Sequence, residues 1–212
     1  MKIGILGTGM VGQTLAAKLA ERGEDVLVGT RNPEKASAWA QGAGVKLGSY
    51  SEAAAHGQIV INATKGEATL ESLRAAGEAN LADKIVVDVA NPLDFSHGMP
   101  PTLTVANNDS LGEQVQRAFP RAKVVKALNT LNAALMVNPG AVGGGDHTIF
   151  VCGNDAAAKG EVSRLLASWF GWRDIIDLGD ITAARGSEAL LLIWVRLMMT
   201  LGHANFQFKV VR

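Results

Sequence analysis

Lys2-Ile3-Gly4-Ile5-Leu6-Gly7-Thr8-Gly9-Met10-Val11-Gly12 is the stretch on which the fold turns. An apolar run of strand length leads into the pattern G-x-G-x-x-G, and a helical periodicity over Val11–Arg22 starts inside that pattern. Each glycine has a physical task in such a turn. Gly7 permits the tight bend, Gly9 lets a backbone approach a pyrophosphate, and Gly12 lets the helix pack closely on the strand. The N–H groups that open the helix have no partner within it, so they face an anion. A second strand-like run, Asp25–Gly29, follows at the distance expected of a βαβ dinucleotide-binding unit.

The residues after that second run select the dinucleotide. An acidic side chain there would accept hydrogen bonds from a ribose 2′-hydroxyl. The chain instead reads Gly29-Thr30-Arg31-Asn32-Pro33-Glu34-Lys35, with no acid at the expected place. A hydroxyl, a planar guanidinium and an ammonium suit a 2′-phosphate, so Thr30, Arg31 and Lys35 point to NADP(H).

Outward from this unit, short β-branched runs alternate with helical patterns. Further strands are expected at Gln58–Asn62, Lys84–Val89, Lys123–Ala127, Thr148–Cys152 and Asp174–Asp177, and helices at Pro33–Ala40, Leu70–Ala79, Leu111–Ala118 and Gly160–Phe170. This alternation predicts an α/β fold, a Rossmann-type doubly wound and mostly parallel sheet. Residues 1–155 are read as the NADP-binding domain. Residues 156–212 are read as a small C-terminal helical segment and a final strand, packing on the sheet and on a second subunit. Ser110 with Glu113 fits a capping box, and Asp180 is the expected cap of a last helix from Thr182 to about Leu201. That helix is apolar on nearly every face, which predicts a homodimer that covers it. Phe206–Val211 reads as the closing strand, and the glycine-rich Pro139–Gly145 as a flexible loop free to move over a site.

Composition excludes several classes. Twenty basic and twenty acidic residues give a formal net charge of zero, which argues against a nucleic-acid surface or a polybasic membrane patch. The lone Cys152 can form neither an internal disulfide nor a metal cage, and it is expected in the core. His56, His97, His147 and His203 show no ligand spacing, so no metal is expected. No signal-peptide pattern is seen, and the most apolar stretch, Ala189–Leu201, is too short to span a bilayer, so a soluble cytoplasmic protein is expected.

Ligands of open α/β sheets lie outside the C-terminal ends of the strands. Thr64, Asn91 and Ala127 therefore become candidates to frame a nicotinamide. Lys126 reads either as a counter-charge for an anionic acceptor or as a solvated strand end. No Lys or His stands out as the proton donor that carbonyl or imine reduction needs. Hydride exchange between two redox cofactors needs only two rings held at contact distance.

These motifs resemble a family. Gly7–Gly12, Gly29-Thr30-Arg31 with Lys35, and Val124–Thr130 are similar to the NADPH-dependent reductases of the deazaflavin coenzyme F420. So are Asp177–Asp180, Ala184-Arg185 with Glu188, and the terminal Phe208–Arg212. The cytosolic domain of the six-transmembrane metalloreductases is also similar. The resemblance implies a dimeric Rossmann protein that moves hydride between NADP(H) and coenzyme F420 or another flavin. It implies Thr8, Gly9, Met10 and Val11 along the pyrophosphate, Thr30, Arg31 and Lys35 at the 2′-phosphate, and Thr64, Asn91 and Ala127 beside the nicotinamide. The chain departs from the archaeal members in lacking a Pro-Trp step within Asn62-Ala63-Thr64-Lys65 and in carrying Asn129 in place of a histidine. Reduction of a small carbonyl or imine, or a non-catalytic NADP(H) sensor, remain the alternatives.

Overall fold

Strands with apolar residues at consecutive positions must be covered on both faces. The computed structural model describes residues 1–212 and shows that arrangement. The first half runs β1 (Lys2–Leu6), α1 (Met10–Glu21), β2 (Asp25–Gly29), α2 (Pro33–Ala43), β3 (Lys46–Gly48), α3 (Tyr50–His56) and β4 (Ile59–Asn62). Next come α4 (Thr69–Ala76), α5 (Glu78–Leu81), β5 (Ile85–Asp88) and a small hairpin of β6 (Leu93–Asp94) with β7 (Thr102–Leu103). The chain continues through α6 (Leu111–Ala118), β8 (Lys123–Ala127), α7 (Ala133–Val137), β9 (Thr148–Cys152), α8 (Ala156–Phe170), β10 (Asp174–Asp177) and α9 (Ala184–Leu201).

Eight strands form one sheet in the order β10-β9-β8-β5-β4-β1-β2-β3. All neighbours are parallel except β8 and β9, which are antiparallel. The first three strands step outward from β1, and β4 then returns to its other side. That reversal opens a crevice at the C-terminal ends of β1 and β4, where α/β sheets bind ligands. One face of the sheet packs on Leu15 and Leu19 of α1 and Leu165, Leu166 and Trp169 of α8. The other face packs on Ala53, Ala54, Leu73 and Val115 from α3, α4 and α6. Gly4 is needed there, because a Cβ on it would lie 2.1 Å from the Ala53 carbonyl oxygen.

Several local expectations change. The helix read over Leu70–Ala79 breaks at Gly77, whose φ of 89° lies outside helical space. Lys46–Gly48 adds an edge strand with too few residues to show a period. Residues 156–177 continue the sheet through α8 and β10, leaving 178–212 outside it. Asp180 caps a short 3₁₀ turn, Ile181–Ala183, that leads into α9. The segment from Phe206 forms no regular strand. It meets the start of β9 where the Thr148 N–H donates to the Phe208 carbonyl and the Val210 N–H to Thr148 Oγ1. Pro139–Gly145 is not a loose loop. It forms two 3₁₀ turns, held by His147 on the Pro139 carbonyl at 2.9 Å and by Arg173 on the Gly144 carbonyl.

Candidate functional site

The first intrahelical bond of α1 runs from the Gln13 N–H to the Gly9 carbonyl, so the N–H groups of Met10, Val11 and Gly12 precede the ladder. Gly9 caps the helix without a side chain, and a Cβ there would meet nothing within 4 Å. The approach to these donors is open, as a pyrophosphate requires. Gly7 has φ of 109°, and a Cβ on Gly12 would lie 2.1 Å from the Gly7 carbonyl oxygen. Both residues are therefore dictated by the turn itself.

At the neighbouring end of β2, Thr30 is buried and its hydroxyl accepts the Asn32 N–H at 3.2 Å, 3.4 Å from the Thr8 hydroxyl. That contact joins the glycine turn to the β2 end. Arg31 and Lys35 are exposed and stand outside every ion pair of the chain. Two unneutralised cations beside a helix N-terminus fit a phosphate dianion.

Beside this cradle lies a cavity of about 560 Å³. Its walls are Val11 of α1, residues 63–67 after β4, and residues 89–91 and 93–96 after β5. Thr64 and Asn91 both line it, whereas Ala127 is fully buried in the core and does not. A Cβ on Gly66 would fall 2.1 Å from the Asn91 carbonyl oxygen, so the two crevice loops touch. Asn91 is clasped from below: its amide donates to the Asn129 carbonyl at 2.8 Å and accepts from Asn129 Nδ2 at 3.0 Å. Asn129 reaches this position because Leu128 adopts a left-handed backbone, φ 58°, which a γ-branched residue rarely accepts. The ionisable residues on the walls are Lys65, Glu67 and Asp94. Lys65 is largely exposed and lies 4.0 Å from Glu67. The Ser96 backbone N–H holds the Asp94 carboxyl below its ordinary range, so Asp94 has no proton to give at neutral pH.

Lys126 lies neither in the crevice nor in solvent. Its ammonium is fully buried between Asp88, at 2.8 Å, and Glu188 of α9, at 2.7 Å, and also donates to the Ala90 carbonyl at 2.5 Å. Burial alone would lower its pKa, but the two carboxylates outweigh that and raise it, so the ammonium stays charged. Glu188 also accepts the Leu111 and Gly112 N–H groups that open α6. Asp88 turns its other oxygen to the Asn62 amide, 2.8 Å away, and Asn62 in turn holds the Thr64 hydroxyl at 2.7 Å. Sequence reasoning missed Asn62, Asp88 and Glu188 as one network. A signal existed: Asp88 and Lys126 are charged residues in apolar runs, and they are register partners on adjacent strands. His147 is also buried, bonded to Pro139 and edge-on to Trp172, away from the cavity walls.

Fold and cradle define a dinucleotide-binding protein of the Rossmann oxidoreductase class. Comparison with known proteins narrows the class. Residues 2–92 match the family described as NADP oxidoreductase, coenzyme F420-dependent. A protein of Arthrobacter sp. FB24, described as a putative F420-dependent NADP reductase, has a solved structure that superposes with a TM-score of 0.97 at 56% identity, covering 100% of both chains. The F420-dependent NADP reductase of Methanothermobacter marburgensis is 28% identical over 93% of this chain and 92% of its own length. Metalloreductase STEAP3 of Rattus norvegicus is 31% identical over 90% of this chain, which spans only 36% of that protein. The chain belongs to the coenzyme F420-dependent NADP oxidoreductases. No helix is long and apolar enough to cross a membrane.

Proposed function

We propose that the chain binds NADP(H) along its first βαβ unit and exchanges hydride between it and coenzyme F420 in the adjoining cavity. The observation that carries this reading is the alignment of three features along one sheet edge: the open N-terminus of α1, the unneutralised Arg31 and Lys35, and the cavity reached from Val11. In it, Thr8, Gly9, Met10, Val11 and Gly12 hold the pyrophosphate through backbone N–H groups. Thr30 sets the turn from which Arg31 and Lys35 pair with the 2′-phosphate. Thr64 and Asn91 border the nicotinamide, and Ala127 stays in the core outside the cavity lining.

When bound, the nicotinamide and deazaflavin rings themselves supply the hydride donor and acceptor carbons. The protein's part is to bring the two ring faces together and exclude water. The walls agree with that division of labour. Their carboxylates are ionised or exposed, the Lys65 ammonium is largely exposed beside Glu67, and the Lys126 ammonium is locked in ion pairs. A second copy of the chain completes this reading, covering Leu192, Ile193 and Met199, which one face of α9 leaves exposed.

The test mixes purified protein with NADPH and oxidised coenzyme F420 and follows nicotinamide and deazaflavin absorbances together. Equal and opposite changes support hydride exchange. Oxidation of NADPH by small imines or ketones alone would replace the reading with carbonyl or imine reduction. Tight NADPH binding without turnover of any acceptor would make the protein a redox sensor.

A further inference from the structure

Thr64 borders the cavity, and the direction of its hydroxyl proton follows from the buried charges beneath it. Lys126 is a cation, and both of its carboxylate partners can only accept. Asp88 Oδ1, 2.8 Å from the side chain of Asn62, must therefore face the amide nitrogen, which fixes Asn62 Oδ1 on the opposite side, toward Thr64. That oxygen carries no proton. It accepts the Thr64 N–H at 3.3 Å and the Thr64 hydroxyl proton at 2.7 Å. Thr69 does not alter the count. Its hydroxyl lies 3.2 Å from that of Thr64 and donates to the Lys65 carbonyl at 3.1 Å. Whichever way the Thr69 proton turns, the single proton of Thr64 is already committed, and Thr64 Oγ1 has only a lone pair to offer the cavity.

From this chain of partners we infer that Thr64 selects its ligand by accepting a hydrogen bond from the primary carboxamide N–H₂ of the nicotinamide. Asn62, Asp88 and Lys126 are the positioning residues that set its polarity. The inference rests on the proposed placement of the nicotinamide in this cavity and adds a specificity determinant to it. An isolated threonine could rotate its hydroxyl and serve a donor or an acceptor equally. Here rotation would break the 2.7 Å bond to Asn62 and leave a fully buried amide oxygen with only the longer Thr64 N–H bond. A pyridine ring bearing an acetyl group has the same shape as the carboxamide ring but presents only an acceptor and a methyl group. It would set an oxygen or a methyl against the Thr64 lone pair, a mismatch of the kind by which polar sites reject isosteres.

The experiment titrates the full chain with NADP⁺ and with 3-acetylpyridine adenine dinucleotide phosphate, following tryptophan fluorescence, without any acceptor. The wild type is expected to prefer NADP⁺ by about tenfold, the scale of one hydrogen bond made in a partly buried site. Thr64→Ser should keep that ratio, and Thr64→Val should bring it to about one by weakening NADP⁺ alone. Asn62→Leu, if folded, should lower the ratio with Thr64 still present, because the hydroxyl is then free to turn. A purely structural role for Thr64 would weaken both ligands together. Equal affinity in the wild type, or an unchanged ratio in Thr64→Val, overturns the inference while leaving NADP(H) binding intact. Failure of the wild type to bind either dinucleotide overturns the nicotinamide placement and this inference with it. Neither result depends on whether coenzyme F420 is the acceptor.

Discussion

Lys126→Met should cost the protein about 3–5 kcal/mol of stability, because it leaves two buried carboxylates without their cation. The structure sets that scale. The ammonium is fully buried, lies 2.8 Å from Asp88 and 2.7 Å from Glu188, and has no route to water that could replace it. For a domain of about this length each kcal/mol moves the midpoint by roughly 2–4 °C, so a fall of about 6–20 °C is expected in a thermal melt. The pH dependence has a definite sign. A raised ammonium pKa stabilises fully below its unfolded value of about 10.4 and loses that contribution as pH rises through the folded value. The gap between wild type and variant should thus hold steady from neutral pH upward and close in strong alkali. The reasoning is refuted if Lys126→Met melts within about 2 °C of the wild type, a smaller shift than 1 kcal/mol would give. A selective rise in acceptor KM with no such loss would return Lys126 to the role of acceptor counter-charge.

Arg31→Ala should weaken NADPH at least tenfold and leave NADH nearly unchanged in a binding titration, since only the former carries the phosphate that Arg31 would meet. Equal loss for both would mean that Arg31 acts through the fold. Ile193→Asp should shift the sedimentation coefficient from dimer to monomer, because Ile193 is 57% exposed on the uncovered face of α9. A wild type already monomeric at micromolar concentration would refute that interface. Acid should destabilise the N-terminal end of α6. The Arg185 hydrogen bond holds the Glu113 carboxyl below its ordinary range, so its stabilisation is present above about pH 4 and is lost as pH falls further. Arg185→Ala should therefore lower the denaturant midpoint at pH 7 and match the wild type near pH 2.

The parts of the fold legible in sequence are those fixed by local pattern. Gly7 is required by its own positive φ and Gly12 by the Gly7 carbonyl five residues before it, and the strand runs announce burial on both faces by continuous apolar character. Ser110 caps α6 as its spacing to Glu113 suggests. What could not be read depends on partners distant in the chain. α9 looked apolar all round, yet Ser187 and Glu188 face inward to polar partners, and Leu191, Trp194 and Val195 are covered by Leu93, Phe206 and Phe208. Lys126 was legible as a charge at a strand end, but its burial depends on Glu188, 62 residues on, and on β8 lying against β5.

That misreading bears on chemistry as well as on stability. A cation at the end of β8 could have served as counter-charge to an anionic acceptor, and its removal to the interior changes what the crevice can do. Around the cavity, Asn91 is tied to Asn129, Asp94 to Ser96, Thr64 to Asn62, and Lys126 to two carboxylates. A side chain that must give or take a proton during turnover has to change partners, and buried groups bonded in this way resist doing so. Hydride passing between two conjugated rings asks for the opposite, namely walls that keep one arrangement while the rings approach. Rigid polar clasps under a mostly uncommitted cavity surface meet that demand. Arg31 and Lys35, by contrast, are exposed and outside every ion pair at the β2 end, which suits the holding of a phosphate, where no bond has to be broken.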